Sequence, residues 1–373
     1  MVFIAASLIT GIYIASSCAG GCGWMGMDMS LKGELFIYSP KKRLAAFRSD
    51  GSRQPSPGTS SSNPSSNSAG PHRKHAIFIP GLTDGLLALE YIPALAAALN
   101  HLGYSFVQPV LTSSYKGYGT SSLCQDVNEL DELLDHLISE PRPPSGVDAT
   151  KLESQDDVVL IGHSTGCQDS VFYMKHGRSD LRRHVKGVVL QAPVSDREWM
   201  ESLPETEALI KVAKSRLGGD EFMPSKSDDA PITPARFLSL ATKEGDDDIF
   251  STDLSVEEQQ SRLGHMAFVP TAVFLSGADE YVPPGGKRSP PEKLADWFRT
   301  ALSDPGPAEG TTAPAATPAA PDDEEEGSTK RTVAREPLVC VIEGACHSLG
   351  GESHKRFVKG VEDFVSGLTD TAG

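Results

Sequence analysis

The chain lacks positive charge. Of its 373 residues, 34 are Lys or Arg against 50 Asp or Glu, a formal net charge of −16. That acidity disfavours a nucleic-acid partner and capture by an anionic membrane surface. No basic patch interleaved with aromatics occurs along the sequence, and no internal repeat is visible. Clustered cysteine is also missing. Cys18 and Cys22 lie near the N-terminus, while Cys124, Cys167, Cys340 and Cys346 are scattered through the body. A zinc site needs grouped ligands at short spacings, and Cys18-x-x-x-Cys22 has no second half. Reduced, mostly buried thiols are the simpler reading.

Long apolar runs are scarce as well. Val2 to Ala19 is the exception, long enough for a signal-peptide core and marginal for a membrane span. No Lys or Arg precedes it, so the usual positive flank is absent. Residues 1–30 therefore stand apart, as a signal or anchor or as an over-extended start with the protein beginning near Met27 or Met29. A cytoplasmic location is expected, with secretion or anchoring through residues 2–19 as the alternative. Membrane contact depends on that segment alone.

The remainder has an ordinary apolar share, with 39% hydrophobic residues, ample for a sizeable core. Residues 52–71 are rich in Ser, Pro, Asn and Gly, and residues 305–330 are rich in Pro, Ala and Thr before turning acidic. Both read as flexible, disordered surface insertions. The pattern around them belongs to one domain, residues 31–373. It opens with a hairpin over 35–38 and 44–47. Strands follow at 75–79, 106–111, 158–161, 185–191, 271–276 and 338–343, and helices at 86–102, 123–138, 167–175, 291–302 and 353–368. Strands alternating with helices predict an α/β fold, a mostly parallel central sheet with helices on both faces. Residues 195–266 break the rhythm with a helix at 205–217 and an aspartate-rich stretch. An insertion of that length between core strands predicts a cap over the strand C-terminal ends, where open α/β sheets place ligands.

The most informative stretch is Val158-Val159-Leu160-Ile161 feeding into Gly162-His163-Ser164-Thr165-Gly166. Gly-x-Ser-x-Gly after a buried-type strand and before a helix is the pattern of a nucleophile elbow. It exposes one serine on a strained turn at a helix N-terminus, where free N–H groups favour developing negative charge. A Gly/Ser-rich turn without chemistry is the bland alternative, so partners must decide. A serine hydroxyl needs a base within reach and a carboxylate to orient that base. Asp279 begins the loop after strand 271–276, with Glu280 as its competitor. His347 follows the last strand and precedes the last helix, and alone among the ten histidines has that placement. His163 is expected to line the pocket or pack beside the serine; His265 and His354 are left as structural or surface residues. The oxyanion needs two backbone donors. Thr165 is one, and Leu82 in Pro80-Gly81-Leu82-Thr83-Asp84-Gly85 is the other. That loop contains neither of the glycine fingerprints of a phosphate cradle.

Nearly the whole chain from about Leu35 resembles the α/β-hydrolase superfamily. More narrowly, it resembles a group that includes fungal siderophore esterases of the fusarinine C esterase type. The residues carrying this are Ile161 through Asp169, Gln191-Ala192-Pro193-Val194-Ser195-Asp196-Arg197-Glu198, and the cap stretches Ala235 through Leu240 and Gly245 through Leu254. The resemblance implies a serine esterase, with an ester-linked hydroxamate siderophore as substrate in the characterised members. Asp246-Asp247-Asp248 then reads as a solvated cap loop or, through Asp247, as a contact to a polar or cationic part of the substrate, or a metal held by a chelate. The expectation is a carboxylic ester hydrolase acting on a small molecule through Ser164, Asp279 and His347, with no organic cofactor and no catalytic metal. The alternatives are a lipid or acylglycerol hydrolase and a non-catalytic binding protein on the same scaffold.

Overall fold

A computed structural model describes residues 30–49, 73–140, 156–225, 230–243, 245–282, 290–306 and 334–370. The apolar segment expected over 1–30, Ser30 excepted, lies outside the described residues. So does the insertion at 52–71, and so does that at 305–330 beyond Gly306.

In chain order the elements begin with β1 (Glu34–Ser39), β2 (Leu44–Ser49), β3 (Lys74–Ile79), α1 (Ile92–His101), β4 (Ser105–Pro109) and α2 (Leu123–Ser139). Then come β5 (Asp157–His163), α3 (Gly166–His176), α4 (Ser179–Arg182), β6 (Val185–Gln191), α5 (Asp196–Glu201), α6 (Thr206–Arg216), α7 (Pro234–Ala241) and α8 (Val256–Leu263). The chain closes with β7 (Thr271–Ser276), α9 (Pro291–Ser303), β8 (Leu338–Ile342) and α10 (Glu352–Asp370). The eight strands form one sheet in the order β1-β2-β4-β3-β5-β6-β7-β8. β1–β2 and β2–β4 pair antiparallel, and every later pair is parallel.

The parallel strands are largely apolar because both of their faces are covered, with Lys74, Asp157 and Lys186 at or near their N-terminal ends. Leu160, Val188, Val273 and Leu275 pack with α2, α3 and α9 through Leu130, Leu134, Val171 and Phe298. Val159, Ile161, Val189 and Phe274 point the other way, towards Ile92, Leu95 and Leu99 of α1 and Phe357, Val361 and Val365 of α10. The alternation of strand side chains between two faces produces these two cores.

One expected helix is shorter than its pattern. The apolar spacing over 86–102 predicted a helix throughout, but α1 starts at Ile92, with Pro93 in its first turn. Residues 80–91 form an irregular loop instead, in which Thr83 (φ 68°) and Leu87 (φ 57°) adopt left-handed backbone.

Between β6 and β7 lie the helices α5 to α8, the stretch expected from sequence to form a cap. Leu209, Ala213, Phe237 and Leu240 of α6 and α7 build a small core of their own, against which Leu82 packs. Arg236 in α7 donates from Nε to the Tyr118 carbonyl (3.1 Å), which ties the cap to the body. The aspartate run is not the solvated loop expected of it. Asp246 is exposed, but Asp247 and Asp248 are buried. Asp247 pairs with Arg236 and accepts from Ser239 Oγ (2.6 Å), and Asp248 accepts from Arg197 Nε (2.9 Å). A carboxylate inside protein needs a charged or hydrogen-bonding partner, and each finds an arginine. Asp247, at 1% exposure, offers no surface to a substrate, which corrects the expectation that it makes such a contact.

Candidate active site

The elbow is built by close packing. Ser164, between β5 and α3, has φ 54°, a left-handed conformation that a non-glycine residue seldom adopts without a constraint. The constraint is the crossing of β5 and α3. A Cβ on Gly162 would lie 2.3 Å from the Gly166 carbonyl oxygen, and one on Gly166 would lie 2.2 Å from that of Ile79. Both positions therefore require glycine. Ser164 stays partly exposed, and Thr165 stands at the N-cap position of α3 without a side-chain capping bond.

The loop after β3 crosses beside this turn. A Cβ on Gly81 would come 2.8 Å from Cβ of Ser164, so Leu82 follows directly beside the serine. Behind Gly81, Leu82 and Thr165 lies a cavity of about 20 Å³, also lined by Asp126, Asp169 and Arg236. That is room for about one water molecule. Burial raises Asp126 to about 7 and pushes Asp169 well above the carboxylate range.

Asp279 and His347 meet. The imidazole Nδ1 lies 3.0 Å and 2.9 Å from the two Asp279 carboxylate oxygens, and both residues are buried. Nδ1–H is thus the donor, which leaves Nε2 as the basic nitrogen. The Tyr281 N–H donates to Asp279 Oδ1 (3.0 Å) and fixes the turn that presents the carboxylate. Glu280, the competitor from sequence, instead accepts from the backbone N–H of His347 (2.9 Å). Burial by itself would lower the His347 pKa, but the carboxylates of Asp279, Glu280 and Asp84 together outweigh this and the net shift is upward.

Gln191, at the end of β6, connects these parts. Its carbonyl accepts from the Ser164 N–H (3.0 Å), and its side-chain Nε2 donates to the His347 carbonyl (3.1 Å). Its Oε1 accepts from the Tyr91 hydroxyl (3.1 Å) and meets His163 Nδ1. This residue is fully buried and holds the backbones of both the serine and the histidine. Sequence reasoning gave it no role. Its one signal was a polar side chain at the end of an apolar strand. His163 is buried, with its ring 5.0 Å from that of His347. Burial lowers its pKa to about 3, so it is neutral and packs against His347. The structure thus gathers Ser164, Thr165, Leu82, His163, Asp279 and His347 at the C-terminal end of the sheet and sets Asp247 apart in the cap.

The described residues contain no group of three His, Cys, Asp or Glu placed to hold a metal ion. Nor is any described helix long and apolar enough to cross a membrane.

Comparison with known proteins places this arrangement among relatives. Residues 61–367 match the family described as "Protein of unknown function (DUF1749)". The UPF0613 protein PB24D3.06c of Schizosaccharomyces pombe is 28% identical over 306 residues, covering 77% of this chain and 84% of its own. The fusarinine C esterase sidJ of Aspergillus fumigatus is 31% identical over 255 residues, covering 56% of this chain and 71% of its own. Among solved structures, the siderophore hydrolase EstB from Aspergillus fumigatus superposes with a TM-score of 0.65 at 26% identity, covering 91% of this chain and 98% of that one. With a family match over most of its length and the sheet order described above, the chain belongs to the DUF1749 family and has the α/β-hydrolase fold.

Proposed function

We propose that the protein hydrolyses carboxylic esters through a covalent acyl-enzyme. Ser164 Oγ attacks the ester carbonyl while His347 Nε2 takes its proton. The new C–O bond gives a tetrahedral oxyanion, which the backbone N–H groups of Thr165 and Leu82 receive. Preorganised donors aimed at that oxygen typically contribute the largest share of the barrier reduction. As the intermediate collapses, the bond to the alcohol breaks, and the imidazolium gives its proton to the departing oxygen. Water then attacks the acyl-enzyme with His347 again as base, releasing the acid and restoring Ser164. Asp279 keeps Nδ1 protonated and stabilises the imidazolium.

The observation that carries this reading is the Asp279–His347 pair at 2.9 Å, joined through Gln191 to the left-handed turn bearing Ser164. The relatives named as an esterase and a siderophore hydrolase support the same chemistry and suggest an ester-linked siderophore as substrate. The test is hydrolysis of p-nitrophenyl butyrate and of an ester-linked hydroxamate siderophore by the parent and by Ser164→Ala. The parent is expected to cleave both and the variant neither. A Ser164→Ala protein as active as the parent would remove the serine from the mechanism. Cleavage of the butyrate alone would retain the esterase and discard the siderophore.

A further inference from the structure

Tyr281 packs on the His347 ring and Trp199 packs in turn on Tyr281, and the mechanism above gives neither side chain a task. The Tyr281 ring stands 4.6 Å from the His347 ring at 67°, and Trp199 stands 5.7 Å from Tyr281 at 64°. Both side chains are partly exposed. They come from different elements, Tyr281 from the loop after β7 and Trp199 from α5 of the cap. Each is anchored through its backbone or its helix. Tyr281 is held through its N–H on Asp279. α5 is held by the Arg197–Asp248 pair and by Glu198, which accepts from the Thr252 N–H (2.9 Å) and hydroxyl (2.7 Å). On the oxyanion side the neighbour is different, namely aliphatic Leu82 packed on the cap core.

The place of the leaving alcohol is set by proton transfer. The departing alcohol takes its proton from His347, so the alcohol part of the ester must lie on the histidine side of the serine. We propose that Trp199 and Tyr281 form the wall of an alcohol-binding subsite selective for esters whose alcohol carries a planar, unsaturated group. Edge and offset contacts between flat π systems exceed what buried area alone provides. An aromatic pair already packed ring against ring offers such contacts with a smaller loss of side-chain entropy on binding. This inference rests on the esterase reading.

The test compares acetates that share one acyl group but differ in alcohol: benzyl, cyclohexylmethyl and ethyl. Ethyl phenylacetate, which carries the ring on the acyl side, is the control. The parent should favour benzyl over cyclohexylmethyl acetate in kcat/KM. Trp199→Ala should reduce that preference about tenfold, chiefly through KM, roughly the size of one lost aromatic contact. Trp199→Phe should restore most of it. Benzyl alcohol, the product, should quench tryptophan fluorescence in the parent and not in Trp199→Phe. A parent indifferent between benzyl and cyclohexylmethyl esters would overturn the subsite. So would a Trp199→Ala loss equally large on ethyl phenylacetate. A parent inactive on every ester would instead overturn the esterase reading and the subsite with it.

Discussion

His347 sits between opposing influences. Its burial disfavours the charged ring, while Asp279, Glu280 and Asp84 favour it, and the balance is upward from the ordinary value near 6.5. In the proposed mechanism His347 must be neutral to accept the Ser164 proton. Activity is therefore expected to rise with pH through a group above about 6.5 and to fall below it. Asp279→Asn removes the charge that raises this group and the acceptor that keeps Nδ1 protonated. The acid limb of kcat/KM should move to lower pH, and kcat should fall by about 10⁴. A pH–rate profile for the two proteins checks both, and an unmoved limb would show that Asp279 does not face the catalytic base. At this scale the sequence singled out Asp279 and His347 by their places after strand ends, and the structure brings the two within hydrogen-bond distance. It was silent on Gln191, whose partners stand 28 and 156 residues away and whose role exists only once three strands lie side by side.

The cap helices depend on two arginines that the sequence did not single out. Arg236, at 6% exposure, pairs with Asp247 in the cap and faces Asp126 and Asp169 of the body across the small cavity. Removing one member of such a pair leaves an uncompensated buried charge, which typically costs about 3–5 kcal/mol. Arg236→Met should therefore lower stability in urea by roughly that amount. The double variant Arg236→Met with Asp247→Leu should recover much of the loss, because the Asp247 charge is then not left stranded. Equal destabilisation in the single and double variants would mean that the pair is not coupled. The Asp246-Asp247-Asp248 run looked solvated because composition cannot reveal a partner 11 residues upstream, as Arg236 is for Asp247, or 51, as Arg197 is for Asp248. Regular elements were easier. β6 and β7 have the bounds expected from sequence, since strands covered on both faces are largely apolar. The start of α1 was misread. Leu86, Leu87 and Leu89 continue its helical spacing, yet the chain uses them in the loop that brings Gly81 to the serine.

The whole molecule explains why these scattered residues form one site. The parallel order β3-β5-β6-β7-β8 aligns the C-terminal ends of five strands on one edge. Gly81 follows β3, Ser164 follows β5, Gln191 ends β6, Asp279 follows β7 and His347 follows β8. The alternation of strands and helices made that architecture legible from sequence, whereas the way the cap seats on it was not. The central claim is that this assembly activates one serine. Treating the folded protein with a fluorophosphonate and locating the adduct by mass spectrometry tests it most directly. A single adduct on Ser164, formed faster as pH rises through the His347 ionisation and absent in Ser164→Ala, is the predicted result. No adduct, or one on another residue with Ser164 unmodified, would contradict it.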